Sequence, residues 1–258
     1  MMYKLLSSLS LLRSNQSAGG KPLVPVCNIG RRDHKTFLCP AVNANSHGLF
    51  SSFSTTAIAF SSTGSSIDPS NFVLKLFIPT AEELEEVGAL LATFSNPPDT
   101  IFLDGDLGAG KTTFARAFIE WKIGMDEGQG HALKVTSPTY LLSNTYCYHD
   151  EITKKMEEIR HMDLYRLNGT STTDFDSLQL EHVFDRCISL IEWSTRLSLQ
   201  PHLLPSQTHR LDINIQTLPC CDTRIMTLQA NVGSTWNNRL RTLLDEGIVD
   251  DLLLFEKC

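Results

Sequence analysis

Residues 105–113 read GDLGAGKTT, and the prediction of the fold begins from these nine residues. Its glycines let the backbone turn tightly and bring a run of N–H groups close to phosphate oxygens, because no Cβ stands in the way. In the pattern GxxxxGK[ST], the lysine places a charge against the β and γ phosphates and the next hydroxyl can ligate Mg²⁺. The pattern predicts a phosphate-binding loop that contacts a nucleotide through Gly105, Gly108, Ala109, Gly110, Lys111, Thr112 and Thr113.

The flanking sequence has the order that such a loop requires. The apolar run at 100–103 predicts a buried strand before the loop, and residues 112–123 predict a helix after it. The predicted fold is therefore an α/β P-loop NTPase of three layers, whose central and mostly parallel sheet also contains antiparallel strands. The alternative is a glycine-rich turn that holds no ligand. Further strands are predicted at 72–78, 187–193, 210–215 and 224–230, a hairpin from 140–148 and 158–165, and helices at 80–94, 174–184 and 235–244.

Residues 1–67 differ in composition from the rest of the chain. They carry six basic residues and one acid among many serines, which is typical of an organellar presequence. We expect a disordered transit peptide that directs the protein to the mitochondrion. A plastid leader is one alternative, and an extension without an address on a cytoplasmic protein is another. Residues 68–258 are then a single domain.

The predicted domain is acidic. The whole chain has a formal net charge of −7 and residues 1–67 carry +5, which leaves −12 on the remainder. Lys and Arg supply most of the non-specific affinity of proteins for nucleic acid, so such a domain binds RNA poorly by itself. No stretch approaches the roughly 18 apolar residues of a membrane-spanning helix. We therefore expect any nucleic acid to be held by a partner, and we expect no membrane association.

The seven cysteines are odd in number and contain no CxxC pair, and their spacing to histidines predicts no zinc site. A reducing compartment suits this pattern. The adjacent Cys220 and Cys221 can form a redox switch or a metal contact, or can simply be small apolar residues near a turn.

Two acidic residues at strand ends are candidates for the second half of the site. Hydrolysis needs an acid that holds Mg²⁺ or its water, and a group that orients the attacking water. Asp163 and Glu192 each end an apolar strand, which is where ligands gather in open α/β sheets. Taken singly, each is equally well explained by a turn or capping role.

Four motifs in a fixed order carry a resemblance to a known family. They are GDLGAGKTTFAR at 105–116, VTSPTY at 135–140, HMDLYRL at 161–167 and IEW at 191–193. Together they resemble the TsaE family of tRNA threonylcarbamoyladenosine biosynthesis ATPases, over about residues 77–230. The resemblance implies an ATP- and Mg²⁺-dependent ATPase that works with partners of the TsaB and TsaD kinds. That system transfers a threonylcarbamoyl group to adenosine 37 of tRNA, which reaches the ATPase only through its partners.

The resemblance also implies catalytic and metal-binding roles. Residues matching Thr112 and Glu192 hold Mg²⁺ in the family, and the aspartate matching Asp163 is needed for hydrolysis. Together with Lys111, which binds the β and γ phosphates, Asp163 and Glu192 are the expected catalytic residues.

Further positions have less settled roles. Segment 135–140 would lie near the γ phosphate as a switch-like loop, with Ser137 and Thr139 as contacts, unless it is only a proline-containing turn. Arg224 is expected to meet the nucleotide. Trp193 stacks in the site, contacts a partner or fills the core. The chain departs from the family at Ser194, where proline is usual.

Two other functions remain open at this level. The loop alone does not say whether water or a substrate hydroxyl attacks, so a small-molecule or nucleotide kinase is one alternative. A non-catalytic assembly module gated by nucleotide is the other. ATP is favoured over GTP by the resemblance and because the chain contains no Asn-Lys-x-Asp guanine-reading motif.

Overall fold

A computed structural model describes residues 70–124, 135–150, 152–168, 172–219 and 222–253. The predicted transit peptide and the Cys220–Cys221 pair lie outside these residues. No helix of the described residues is long and apolar enough to cross a bilayer.

The described residues contain seven strands, which are β1 (Asn71–Ile78), β2 (Thr100–Gly105), β3 (Ser143–His149), β4 (Met156–Asp163), β5 (Ile188–Glu192), β6 (Arg210–Thr217) and β7 (Arg224–Asn231). All seven form one sheet in the order β1-β7-β6-β2-β5-β4-β3. The four central strands β6, β2, β5 and β4 run parallel. Antiparallel pairing joins β7 to β6, β1 to β7 and β3 to β4. This confirms the predicted mostly parallel centre with antiparallel strands.

Helices cover both faces of this sheet and complete the three layers. The α-helices are α1 (Ala81–Phe94), α2 (Lys111–Gly124), α3 (Leu180–Arg186) and α4 (Thr235–Asp245). Helix α2 lies on the face of Glu192, to which Thr112 is hydrogen bonded. Because side chains alternate along a strand, Ile191 points to the opposite face, where it packs in a buried cluster with Val183 of α3.

Local chemistry explains where the first two helices begin and how they pack. The Thr80 side chain accepts a hydrogen bond from the Glu83 N–H, while Glu83 reaches back to the Thr80 N–H, so a capping box starts α1. The Trp121 indole N–H of α2 donates to Thr93 Oγ1 at 2.8 Å and ties α2 to α1. Helix α1 thereby supports the helix that begins at the phosphate loop.

The predicted hairpin is confirmed, since β3 pairs with β4, but the predicted helix at 174–184 is largely wrong. Two 3₁₀ turns, Thr172–Asp174 and Asp176–Leu178, precede α3. Gln179 interrupts the segment with φ of 52°, a left-handed conformation that an α-helix interior does not accommodate. Only residues 180–184 of the predicted helix lie in α3.

Candidate nucleotide-binding site

The phosphate loop leaves the carboxyl end of β2 and enters α2 within six residues. Gly105, Gly108 and Gly110 have φ of 136°, 79° and 112°, which L side chains rarely adopt. A Cβ on Gly105 would lie 2.1 Å from the Ile215 carbonyl oxygen of β6, and one on Gly110 would lie 2.5 Å from a Leu84 methyl. The backbone course of the loop therefore depends on glycine at these positions.

Lys111 points back into the loop that precedes it. Its Nζ donates to the carbonyl oxygens of Gly105 and Asp106, both at 2.7 Å, and lies 4.0 Å from the centre of the Trp193 ring. Burial lowers the pKa of Lys111, while neighbouring carboxylates, Glu192 foremost, act in the opposite direction. The ammonium is thus desolvated and surrounded by acceptors, an arrangement that favours an anionic ligand.

Thr112, Glu192 and His161 form a connected set beside the loop. The Thr112 hydroxyl lies 2.9 Å from both carboxylate oxygens of Glu192, and His161 Nε2 lies 2.9 Å from Oε1. Glu192 is 2% exposed and His161 is fully buried. A hydroxyl and a carboxylate are the oxygen ligands that Mg²⁺ prefers, so this pair fits the metal that the sequence predicts.

Asp163 connects the site to segment 135–140. Its Oδ2 accepts a hydrogen bond from Thr139 Oγ1 at 2.6 Å, and Oδ1 accepts one from the Tyr165 N–H at 3.0 Å. The Thr139 hydroxyl lies 2.7 Å from that of Ser137. The segment does contain a turn, since Leu141 N–H donates to the Pro138 carbonyl, but its Thr139 hydroxyl also reaches the site.

A cavity of about 290 Å³ lies where these groups meet. Trp193, the residue after β5, borders it with φ of 62°, and its ring centre lies 5.0 Å from that of Tyr165. Trp193 also packs against the buried cluster beneath it, so it belongs to the site and to the core edge together. The predicted residues that line the cavity are Gly108, Gly110, Lys111, Thr112, Thr113, Asp163 and Glu192.

Three predicted residues lie beside the cavity rather than on its lining. Gly105 contributes the carbonyl oxygen that accepts from Lys111. Ala109 is fully buried, and its carbonyl oxygen accepts from Arg224 Nε at 2.8 Å. Arg224 therefore supports the loop backbone from the start of β7, and its contact with the nucleotide stays a prediction.

Two supporting contacts were missed at the level of sequence. His161 was only part of a motif, although its place two residues before Asp163 on one strand puts both side chains on the same face. Ser194 Oγ donates to Asp104 Oδ2, which joins the residue after the Glu-Trp pair to the end of β2. The serine that replaces the usual proline thus makes a bond that proline cannot make.

The parallel strands end over a glycine-rich loop, and a lysine, a hydroxyl and two carboxylates surround one cavity. This arrangement defines a protein of the P-loop class. The family model "Threonylcarbamoyl adenosine biosynthesis protein TsaE" matches residues 78–224. This is more than half of the chain, and the chain belongs to the TsaE family.

Two sequence relatives agree with this assignment. The tRNA threonylcarbamoyladenosine biosynthesis protein TsaE of Bacillus subtilis is 35% identical over 136 residues, which cover 52% of this chain and 72% of the relative. TsaE of Rickettsia conorii is 35% identical over 135 residues, covering 52% of this chain and 69% of the relative. The crystal structure of Bacillus subtilis YdiB matches with a TM-score of 0.47 and 29% identity, covering 70% of this chain and 97% of YdiB.

Proposed function

We propose that this chain is the Mg²⁺-dependent ATPase of a tRNA threonylcarbamoyladenosine system, acting with TsaB- and TsaD-type partners on adenosine 37. The observation that carries the proposal is the convergence of Thr112, Glu192 and Asp163 on the cavity of the phosphate loop. Family membership supports the assignment to this pathway, and the residues of the site support the proposed ATP hydrolysis.

The loop and helix α2 are suited to bind the triphosphate of ATP. Backbone N–H groups of the loop and the amino end of α2 favour an anion, and Lys111 can exchange its carbonyl acceptors for phosphate oxygens. Thr112 and Glu192 would hold Mg²⁺, which neutralises charge that develops on the phosphate oxygens. His161 holds the Glu192 carboxylate in place and so orients a ligand of the metal.

Asp163 is placed to orient the attacking water. It lines the same cavity as Lys111 and Glu192, and its two oxygens are held by Thr139 and Tyr165. A carboxylate fixed in this way can accept a hydrogen bond from a water molecule and set its direction of approach. Segment 135–140 contributes Thr139, so the position of this segment would control whether the Asp163 carboxylate is held in place for the water.

A partner surface is supported by exposed apolar side chains next to the cavity. Leu107 of the loop is 81% exposed, Tyr140 at the end of segment 135–140 is 82% exposed, and Leu141, which follows it, is 75% exposed. Exposed apolar residues grouped at a functional site are typical of docking surfaces. A partner bound there would touch the segment that holds Asp163, so we expect slow hydrolysis by the chain alone and faster hydrolysis in the complex. The acidic charge of the domain leaves tRNA binding to that partner.

The test is ATP binding by calorimetry and phosphate release, with the full chain alone and with a TsaB and TsaD pair. Lys111→Ala should abolish binding. Asp163→Asn should bind ATP but release no phosphate, while Asp176→Asn, an exposed acid outside the site, should behave like the wild type. An absence of turnover with partners present would reject the ATPase and favour the gated module. A phosphorylated acceptor in place of free phosphate would favour the kinase.

We also propose that residues 1–67 direct the protein to the mitochondrion, on the basis of their basic, acid-poor composition. Their fusion to a fluorescent protein tests this directly. Plastid or cytoplasmic fluorescence would select one of the two alternatives instead.

A further inference from the structure

Three potential metal ligands meet at the end of the sheet opposite the nucleotide site. Glu158 of β4, His182 of α3 and Cys187, which follows α3, each offer one ligand atom, and these atoms lie within 4.8 Å of one another. The Cys187 thiol donates to Glu158 Oε2 at 3.7 Å. Glu158 precedes Asp163 by five residues on β4, so the cluster lies roughly 16 Å along the strand from Asp163.

The tertiary structure also places a second thiol beside this cluster. Cys147 of β3 stands directly opposite Glu158 in the antiparallel pair. Directly opposite residues point to the same face, with Cβ atoms about 4.5–5.5 Å apart. Cys147 is exposed, whereas Cys187 is buried. Four ligands therefore come from β3, β4, α3 and the residue that joins α3 to β5.

The combination of donors selects the class of cation. Thiolate and imidazole ligands favour Zn²⁺ and similar transition metals over Mg²⁺ and Ca²⁺, which prefer oxygen alone. Tetrahedral Zn²⁺ with bonds of about 2.0–2.3 Å needs ligand atoms roughly 3.3–3.8 Å apart. The ligand atoms lie within 4.8 Å of one another, so no pair exceeds this spacing by more than about 1.5 Å. His182 is exposed, so its side chain has room to close the remaining gap by rotation.

The surroundings are compatible with a bound cation. Arg160 lies on the same strand face two residues from Glu158, but its guanidinium donates to Thr145 Oγ1 at 2.8 Å. A divalent cation would replace the proton that the Cys187 thiol now shares with Glu158. Two thiolates and one carboxylate would carry −3 against the +2 of the cation, and the neighbouring Arg160 guanidinium would offset the remaining negative charge.

We propose that Glu158, His182 and Cys187, with Cys147 as fourth ligand, bind Zn²⁺ in a site separate from the nucleotide site. The metal would join α3 to the β3–β4 hairpin and stabilise that side of the sheet. The site is structural in character, because four protein ligands leave no open coordination position.

The experiment uses the full chain, treated with chelator and titrated with Co²⁺ and then Zn²⁺ without nucleotide. We expect one equivalent of Co²⁺ to bind with the visible absorption of a tetrahedral site and a thiolate charge-transfer band. Zn²⁺ should abolish both signals and raise the melting temperature. A Co²⁺ ion held by Thr112 and Glu192 would produce no charge-transfer band, so the readout separates the two sites.

Variants of the ligands decide the assignment. Loss of an outer-shell partner costs about 10–100-fold in metal affinity. His182→Ala and Glu158→Gln each remove a direct ligand, so each should weaken metal binding by more than this. His202→Ala, at another exposed histidine, is the matched control and should bind normally. Cys147→Ser should remove about half of the charge-transfer intensity, and an unchanged band would exclude Cys147 as a ligand. Equal binding by the wild type, His182→Ala and Glu158→Gln would overturn the proposal.

Discussion

The first glycine of the phosphate loop provides a quantitative test of how the loop is held. Gly105 has φ of 136°, and a Cβ there would lie 2.1 Å from the Ile215 carbonyl oxygen. The obstacle is backbone, since Ile215 pairs with Gly105 in the parallel ladder between β2 and β6. Gly108 is the matched control, because it also has positive φ, 79°, but its Cβ would meet nothing within 4 Å.

The two Gly→Ala substitutions should therefore differ in cost. A non-glycine residue in a backbone conformation of this kind costs about 1–3 kcal/mol. At Gly105 the strands must also separate locally, which removes a ladder hydrogen bond worth about 0.5–1.5 kcal/mol. The sum is about 1.5–4.5 kcal/mol, a large share of the roughly 5–15 kcal/mol by which domains are stable. At Gly108 only the left-handed conformation is penalised, by about 1–2 kcal/mol.

Urea unfolding of the full chain without nucleotide, followed by circular dichroism, measures both free energies of unfolding. We expect Gly105→Ala to lose about twice as much stability as Gly108→Ala. Gly108→Ala should stay folded, so its affinity for ATP reports on the loop itself. Equal unfolding midpoints for the two variants, or a lower midpoint for Gly108→Ala, would refute the reasoning.

Three further predictions concern the site and its surroundings. His161→Ala removes the contact that holds the Glu192 carboxylate, so Mg²⁺-dependent phosphate release should fall by about 10–100-fold. ATP binding without metal should change little. Equal losses in the two assays would contradict this prediction. Burial raises the pKa of Asp212, whose Oδ1 has no hydrogen-bond partner among the described residues. The stability that its protonation contributes is complete below the unfolded pKa of about 3.9 and is lost as pH rises through the folded value. Asp212→Asn should therefore gain in melting temperature over the wild type between acid and neutral pH, and a constant difference would exclude this cause. Tyr140→Ser with Leu141→Ser should weaken partner binding without changing ATP affinity of the chain alone, as pull-down and calorimetry would show.

The loop, the helix after it and the positions of most strands along the chain could be predicted because their information is local. The loop donors lie within nine consecutive residues, and apolar periodicity marks buried faces wherever they occur. The helix predicted at 174–184 is largely wrong, because apolar periodicity indicates which residues are buried and does not reveal the left-handed backbone at Gln179.

Arg224 is predicted to meet the nucleotide, and its contacts within the protein could not be read from its position in the sequence. Its place at the start of β7 was identified, but which atom it reaches depends on how β7 lies against the loop. There it meets the Ala109 carbonyl oxygen at 2.8 Å. A supporting contact and a ligand contact look identical in sequence.

By itself, the sequence determined that this protein has a phosphate-binding loop in an α/β fold, since contiguous residues build that loop. Only the tertiary structure brought Glu192 to Thr112, across 80 positions, and held it with His161. It also gathered Glu158, His182 and Cys187, whose spacing in sequence predicted no metal site. Both groups depend on which strands lie side by side and in which register, and that order is set by long-range packing of the sheet between its two helical layers.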